Sequence, residues 1–325
     1  MSFRWYVARR LGWTVVATFI VLSITFGLLT IAPNAEVTQI SFTAAQQGEN
    51  VTQARQAAMR RMGLDEPVLQ RYVNYMVNMA TFNWGYSQSH SGTKVTTLIM
   101  NAIPYTMLYS VPTTIFSIIV GISIGLYSAT HQYTKFDYAA TFVAFFGYAI
   151  PNFWFGIILL VIFGAWLGWV PIIFDVNADL FSVTMAKQLI LPVFVLTTSQ
   201  VTALMRYSRA EALEYVEAEF TKAARAKGVS EYRLLTRHIL RPALVPLMTI
   251  LVADLLGIFI AASYLVEIVF SIPGLGRLTL EAIESNDTPL VLATTLLPVF
   301  VAIIGNLVQD IAYTVLDPRI DYGER

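Results

Sequence analysis

Residues 11–32 read LGWTVVATFIVLSITFGLLTIA, an apolar run without one ionisable side chain. A bilayer core about 30 Å thick is crossed by roughly 20 helical residues, because a helix satisfies its own backbone polar groups where no water can do so. This run has that length. Similar runs follow at 104–129, 138–170, 188–205, 242–270 and 289–316. The sequence therefore predicts an all-α integral membrane protein with about six transmembrane helices.

Composition agrees. Apolar residues make up 56% of the 325-residue chain and charged residues 13%, about half the charged share of a soluble domain, and mean hydropathy is +0.61. The net charge is zero, so the chain lacks the surplus of Lys and Arg that a nucleic-acid partner requires. Membrane lipid is the partner implied. There is no cysteine, which excludes disulfides, thiolate nucleophiles and Cys-based metal sites. His90, His131 and His238 show no metal-ligand spacing, so no metal or cofactor is expected in this chain.

Lys and Arg near the spans set the orientation, because they resist translocation. Arg4, Arg9 and Arg10 precede the first span and place the N-terminus in the cytoplasm. Alternation then puts 130–137, 206–241 and the tail 317–325 on the same side, with eight Lys or Arg residues in 206–241 alone. The expected organisation is a cytoplasmic N-terminus and first span (1–32), an external loop or lid (33–100), a transmembrane core (101–316) with a cytoplasmic loop at 206–241, and a cytoplasmic tail (317–325). A basic start followed by an apolar run also describes a secretory signal. The length of 11–32 suits a retained span better.

The external segment carries Met62-Gly63-Leu64-Asp65-Glu66-Pro67, then Tyr72, Tyr75 and Met76 at helical spacing. Asp65 is expected to cap a helix that takes Pro67 in its first turn. A small helical lid is the reading.

Residues 206–241 are too polar to span. Glu211, Glu214, Glu217 and Glu219 come before Lys222, Arg225 and Lys227, the order that complements a helix dipole. Gly228 suits a left-handed C-terminal position and Ser230 the cap of the next helix, so two short helices meet at Gly228. Val216, Phe220, Ala223, Ala224 and Lys227 share one face, a flat alanine patch beside an aromatic knob. That face fits a docking helix for a cytoplasmic protein. A basic amphipathic helix on the headgroups is the other reading, opposed by four glutamates that an anionic leaflet repels.

Lys222-Ala223-Ala224-Arg225-Ala226-Lys227-Gly228 resembles the EAA loop of ATP-binding-cassette importer permeases, and the ARAKG segment resembles the dipeptide, oligopeptide and nickel branch, the dipeptide permease B subunits among them. That pattern begins with Glu where this chain has Lys222, and Ile239 to Pro242 is offset by one from its Ile-x-x-Pro ending. Arg9-Arg10-Leu11-Gly12, Gly63-Leu64-Asp65-Glu66-Pro67, Ile150-Pro151, Phe270-Ser271-Ile272-Pro273-Gly274-Leu275-Gly276-Arg277 and Asp317-Pro318-Arg319-Ile320 resemble the same family in the same order.

The resemblance implies the type I importer permease fold with a short cytoplasmic coupling helix, in a multi-pass protein of the cell membrane. It implies a non-enzymatic subunit of a binding-protein-dependent importer for di- or oligopeptides, with nickel complexes or glutathione as alternative cargoes. Its expected partners are a second, related permease chain forming a heterodimer, two cytoplasmic ATPases and an external binding protein. No GxxxxGK[ST] occurs, so ATP and Mg are expected on the ATPases. The coupling set becomes Glu214, Phe220, Lys222, Ala223, Ala224, Arg225, Lys227 and Gly228, on a helix from about 214 to 227.

Candidates for the translocation path or gate are Pro151, Asp254, Pro273, Gly274 and Gly276. Pro151 is expected to kink or break the third run beside Gly147. Asp254 lies mid-span, where a carboxylate is costly and usually faces protein or water, so a path residue and a structural carboxylate are both open. Glu267 and Asp310 rank lower, being nearer span ends. Pro273 and Gly274 suit the centre of a type II turn with Gly at positive φ, and 275–284 would follow as an external gate or dock. An ion-coupled carrier using Asp254 and Asp310 is the rival of a different class, although no internal repeat supports it.

Overall fold

The computed structural model describes residues 3–257 and 264–316. In chain order the helices are α1 (Phe3–Ile31), α2 (Ala35–Gln46), α3 (Val51–Arg61), α4 (Val68–Ala80), α5 (Val95–Thr130), α6 (Lys135–Ala149), α7 (Asn152–Leu159), α8 (Val183–Val216), α9 (Glu219–Ala226), α10 (Glu231–Arg233), α11 (Arg241–Gly257), α12 (Tyr264–Val269), α13 (Leu275–Glu284) and α14 (Thr288–Leu316). Wider π-helical turns continue α7 through Leu160–Trp166 and α10 through Leu234–Leu240. The described residues contain no sheet, only one antiparallel bridge between Tyr86 and Lys94.

Four of these helices are long and apolar enough to cross a membrane, or six spans result if each of two bent pairs counts as one. The first pair, Lys135–Ala149 with Asn152–Trp166, turns through 98° at Pro151, which makes the expected kink or break a break. The second, Glu231–Leu244 with Pro246–Val252, bends by 60° where Pro246 interrupts the hydrogen-bond ladder.

Contacts divide the chain into two compact units, residues 1–100 with 279–325 and residues 101–278. In the first unit α1 lies against α14 and α4. Arg10 pairs with Asp310 at 2.8 Å, which gives the intramembrane carboxylate of α14 a cationic partner. Ser23 and Tyr72 share a hydrogen bond at 2.7 Å, and Phe26 meets the Tyr72 ring edge-on at 5.2 Å, so the tyrosines of α4 seat it on α1. Asp65 does not cap α4. The helix starts one residue after Pro67, which occupies the cap position and leaves no side-chain cap bond.

In the second unit α8 is the central element, packed by α6, α7 and α11 and with half of its apolar window buried. Small residues bring α5 close to it. A Cβ on Gly121 would lie 2.7 Å from Leu204 Cβ, and Ser208 Oγ donates to the Gly121 carbonyl at 3.2 Å. Arg209 of α8 pairs with the buried Asp137 of α6 at 2.9 Å. One apolar core gathers Tyr109, Met185, Val195, Val266, Phe270 and Ile272, and another gathers Ile122, Leu126, Leu204, Ala212, Leu234 and Ile239.

Candidate functional site

The coupling segment begins where α8 stops. Glu217 closes α8, and Ala218 adopts an extended conformation (φ −62°, ψ 144°) that starts α9 afresh. The expected continuous helix from 214 to 227 is therefore two helices, and Glu214 lies on α8, separate from the prong. Val216 likewise ends α8, half-buried against the second core.

On α9, Glu219 occupies the first turn and Arg225 the last, each at the dipole end that favours it. Lys222 reaches Glu219 at 3.5 Å, an exposed pair that contributes little to stability. Thr221 and Ala224, three apart, are buried, and Ala224 packs into the core that holds Ile122, Leu204, Ala212 and Leu234. The flat patch expected from Ala223 and Ala224 together is thus split. Ala224 faces inward, because a small side chain is what lets α9 close on the core. Phe220, Ala223 and Lys227 remain exposed, with Phe220 showing 49% of its surface.

Gly228 follows at φ +73°, in the left-handed region. The Gly228 N–H donates to the Arg225 carbonyl at 3.0 Å and the Val229 N–H to the Ala224 carbonyl at 3.2 Å, the paired bonds of a Schellman motif. A Cβ on Gly228 would meet nothing within 4 Å, so glycine serves the backbone conformation there and not the space. Ser230 occupies the next cap position without a side-chain cap bond. His131, in the turn after α5, lies 3.2 Å from Glu231, so loops 130–137 and 206–241 meet on one side of their unit.

The second assembly surrounds Glu267 on α12, whose residue surface is fully buried. Tyr109 Oη and Thr106 Oγ1, both on α5, donate to its Oε1 at 2.7 and 2.9 Å. The Arg277 N–H donates to Oε2 at 2.7 Å, and the Leu275 N–H donates to Thr106 Oγ1 at 2.8 Å. The carboxylate and the threonine thereby satisfy the N-terminal amides of α13.

Gly274 does not take the positive φ expected of a type II turn. Ser271 does, at +56°, and the Gly274 N–H bonds the Ile272 carbonyl at 2.9 Å around Pro273. Gly274 is needed for closeness instead: a Cβ there would overlap Glu267 Oε1 and lie 2.6 Å from Thr106 Oγ1. At Gly276 a Cβ would lie 2.9 Å from the Tyr264 amide nitrogen and 3.0 Å from Glu267 Oε2. Helix α13 itself spans the expected 275–284.

The candidate path residues do not converge. Gly274 and Gly276 surround Glu267 beside Pro273, whereas Asp254 is half-buried on α11 and Pro151 is exposed at the α6–α7 break. Gly147 and Ile150 line an apolar cavity of about 630 Å³ with Phe116, Val143, Phe194 and Val201. No charged residue lines it. Glu267 was undervalued because a glutamate near a span end reads as water-seeking, and Thr106 and Tyr109 read as filler in an apolar run. The available signal is a carboxylate three residues before the segment FSIPGLGR, which has two glycines.

Residues 121–322 match the family described as "Binding-protein-dependent transport system inner membrane component". The chain belongs to this family. Members similar to it along nearly their whole length include the oligopeptide transport system permease protein AppB of Bacillus subtilis, 36% identical over 98% of this chain and 99% of that protein. The oligopeptide permease OppB of Haemophilus influenzae is 30% identical over 98% and 99%, and the di/tripeptide permease DppB of Pseudomonas aeruginosa 32% identical over 97% and 98%. Family membership makes the chain a membrane transport component and gives its apolar helices their membrane setting. The α9 prong falls inside the matched region, as do Glu267, Gly274, Gly276 and Arg277, whereas Thr106 and Tyr109 precede it.

Proposed function

We propose that this chain is the permease subunit of an ATP-driven importer of short peptides. The observation that carries the reading is similarity over nearly the full length to three permeases whose names specify oligopeptide or di/tripeptide transport, which favours peptides over nickel complexes, glutathione or an ion-coupled carrier. In this reading the N-terminus and loops 130–137 and 206–241 face the cytoplasm and segment 33–100 faces outward. Helix α9 seats in a cleft of a cytoplasmic ATPase, with Phe220 as the knob and Ala223 and Lys227 beside it. The partners are two ATPases that hold ATP and Mg, a second related permease chain and an external binding protein.

Support for the coupling role comes from how α9 is held. Ala224 joins α9 to a core shared with α5, α8 and the π-turn after α10, with Thr221 buried on the same inner face, so force applied at Phe220 passes into membrane helices and not into a loose loop. Closure of the two ATPases would then rock those helices between inward- and outward-facing states. Thermodynamic linkage requires the reverse coupling, so a loaded binding protein outside alters nucleotide affinity inside. The test is a reconstituted complex. ATP hydrolysis that rises with the loaded binding protein, together with peptide uptake that stops without ATP, supports the reading. Uptake driven by an ion gradient in the absence of ATP refutes it.

A further inference from the structure

One cavity lies wholly within the first unit and takes no part in coupling. It measures about 520 Å³, in the range of small-ligand clefts, and is framed by the end of α1, the start of α2, the 62–66 turn, α4, the 83–88 segment and the start of α14. In the orientation proposed above it opens on the outer side.

Its chemistry differs from that of the apolar cavity in the second unit. Glu36, Glu66, Arg71, Asn74, Asn78 and Asn83 are among the residues that line it. Trp84 lies in the wall, 6% exposed, and its indole N–H has no hydrogen-bond partner among the described residues. A buried donor left unpaired costs about 1–3 kcal/mol. Asp287, fully buried at the start of α14, accepts the Ser89 N–H at 3.0 Å, the Ser89 hydroxyl at 2.8 Å and the Ser87 hydroxyl, and so ties the 86–94 hairpin to α14.

We infer that this cavity is a second peptide site, on the permease itself, that takes a short peptide by its termini and backbone. The inference rests on the peptide reading above and adds a place where the solute is held outside the membrane core. An α-ammonium requires a carboxylate, which Glu66 supplies, Glu36 already accepting from the Gln88 side-chain amide, and an α-carboxylate requires a fork of N–H donors, which Arg71 supplies. Backbone amides pair with asparagine side chains, which both donate and accept; the Asn83 amide donates to Asn78 Oδ1 at 3.3 Å, which leaves Asn78 a donor and Asn83 an acceptor beside Asn74. Those groups are common to all peptides, so the site reads length and charge at the ends without reading side chains.

The permease complex with its ATPases, but without the binding protein, is placed in lipid nanodiscs and equilibrated with a randomised tripeptide mixture, retained peptides being measured by mass spectrometry. Saturable retention is expected, reduced at least tenfold by Arg71→Ala and lost for the same mixture acetylated at its N-termini and amidated at its C-termini. The blocked mixture tests the site on the unaltered protein, so a misfolded variant cannot decide the matter. Peptide uptake by the intact transporter with no retention by the permease complex overturns the second site and leaves the transport reading standing. No uptake by the intact transporter overturns the transport reading itself. Absence of retention combined with weaker binding-protein docking in Arg71→Ala makes the cavity a docking surface for that protein and also overturns the inference.

Discussion

Replacing Gly228 with valine isolates the corner between α9 and α10 from everything else in the coupling segment. The glycine sits at φ +73° and a Cβ there meets nothing within 4 Å, so the first added carbon meets no neighbour. What it adds is the cost of the left-handed conformation, about 1–2 kcal/mol for an ordinary L-residue and more for a β-branched one. A shift of about 1.4 kcal/mol changes a two-state ratio tenfold, so an ordinary residue such as alanine depletes the native corner about five- to thirty-fold relative to frayed alternatives and valine depletes it further. The two Schellman bonds to the Arg225 and Ala224 carbonyls are lost with it. Asparagine, which tolerates this region, should retain most coupling, alanine less and valine least. The assay compares ATP hydrolysis with peptide uptake in proteoliposomes. Valine should lower uptake per ATP while insertion and assembly stay normal. Equal coupling ratios for the glycine, asparagine, alanine and valine forms would refute the argument that this backbone conformation transmits force.

Phe220→Asp places a carboxylate on the exposed knob of α9 and should weaken ATPase co-purification, whereas Phe220→Leu should largely preserve it. Gly274→Ala forces a methyl against Glu267 Oε1 and Thr106 Oγ1, an overpacking cost of about 1–3 kcal/mol, and should lower the thermal midpoint of the purified complex. Asp287 gives a pH signature. Burial opposes its ionisation, but the bonds donated by Ser87, Ser89 and the Leu290 amide outweigh that and hold its carboxyl below the ordinary 3.8. A lowered folded-state value stabilises above the ordinary value and is lost as pH falls through the folded one. Hydrogen-exchange protection of residues 86–94 should therefore stay level down to about pH 4 and decline below it. Asp287→Asn should flatten that decline.

Periodicity and composition made the helices legible because the bilayer demands long apolar runs, and Gly228 was legible because a glycine after Lys227 has a local conformational reason to be there. The break at Glu217–Ala218 was not legible, since neither residue is a helix breaker and the extended Ala218 is set by how α9 packs. The orientation of Ala224 was missed for the same reason. Adjacent alanines look equivalent in sequence, and only the core against Leu204 and Leu234 decides which one turns inward. Pro273-Gly274 carries the local signal of a type II turn, yet the glycine is fixed by a carboxylate that belongs to another helix. Glu267, Thr106 and Tyr109 form one site from two helices more than 150 residues apart, and no local pattern announces it.

Because the chain has no cysteine, a single Phe220→Cys replacement gives one reactive probe on the exposed face of α9. In membranes of cells carrying the whole transporter, this thiol should cross-link to an ATPase subunit and should resist a membrane-impermeant maleimide applied to intact cells. Labelling of that cysteine from outside, with no cross-link to the ATPase, would contradict the account.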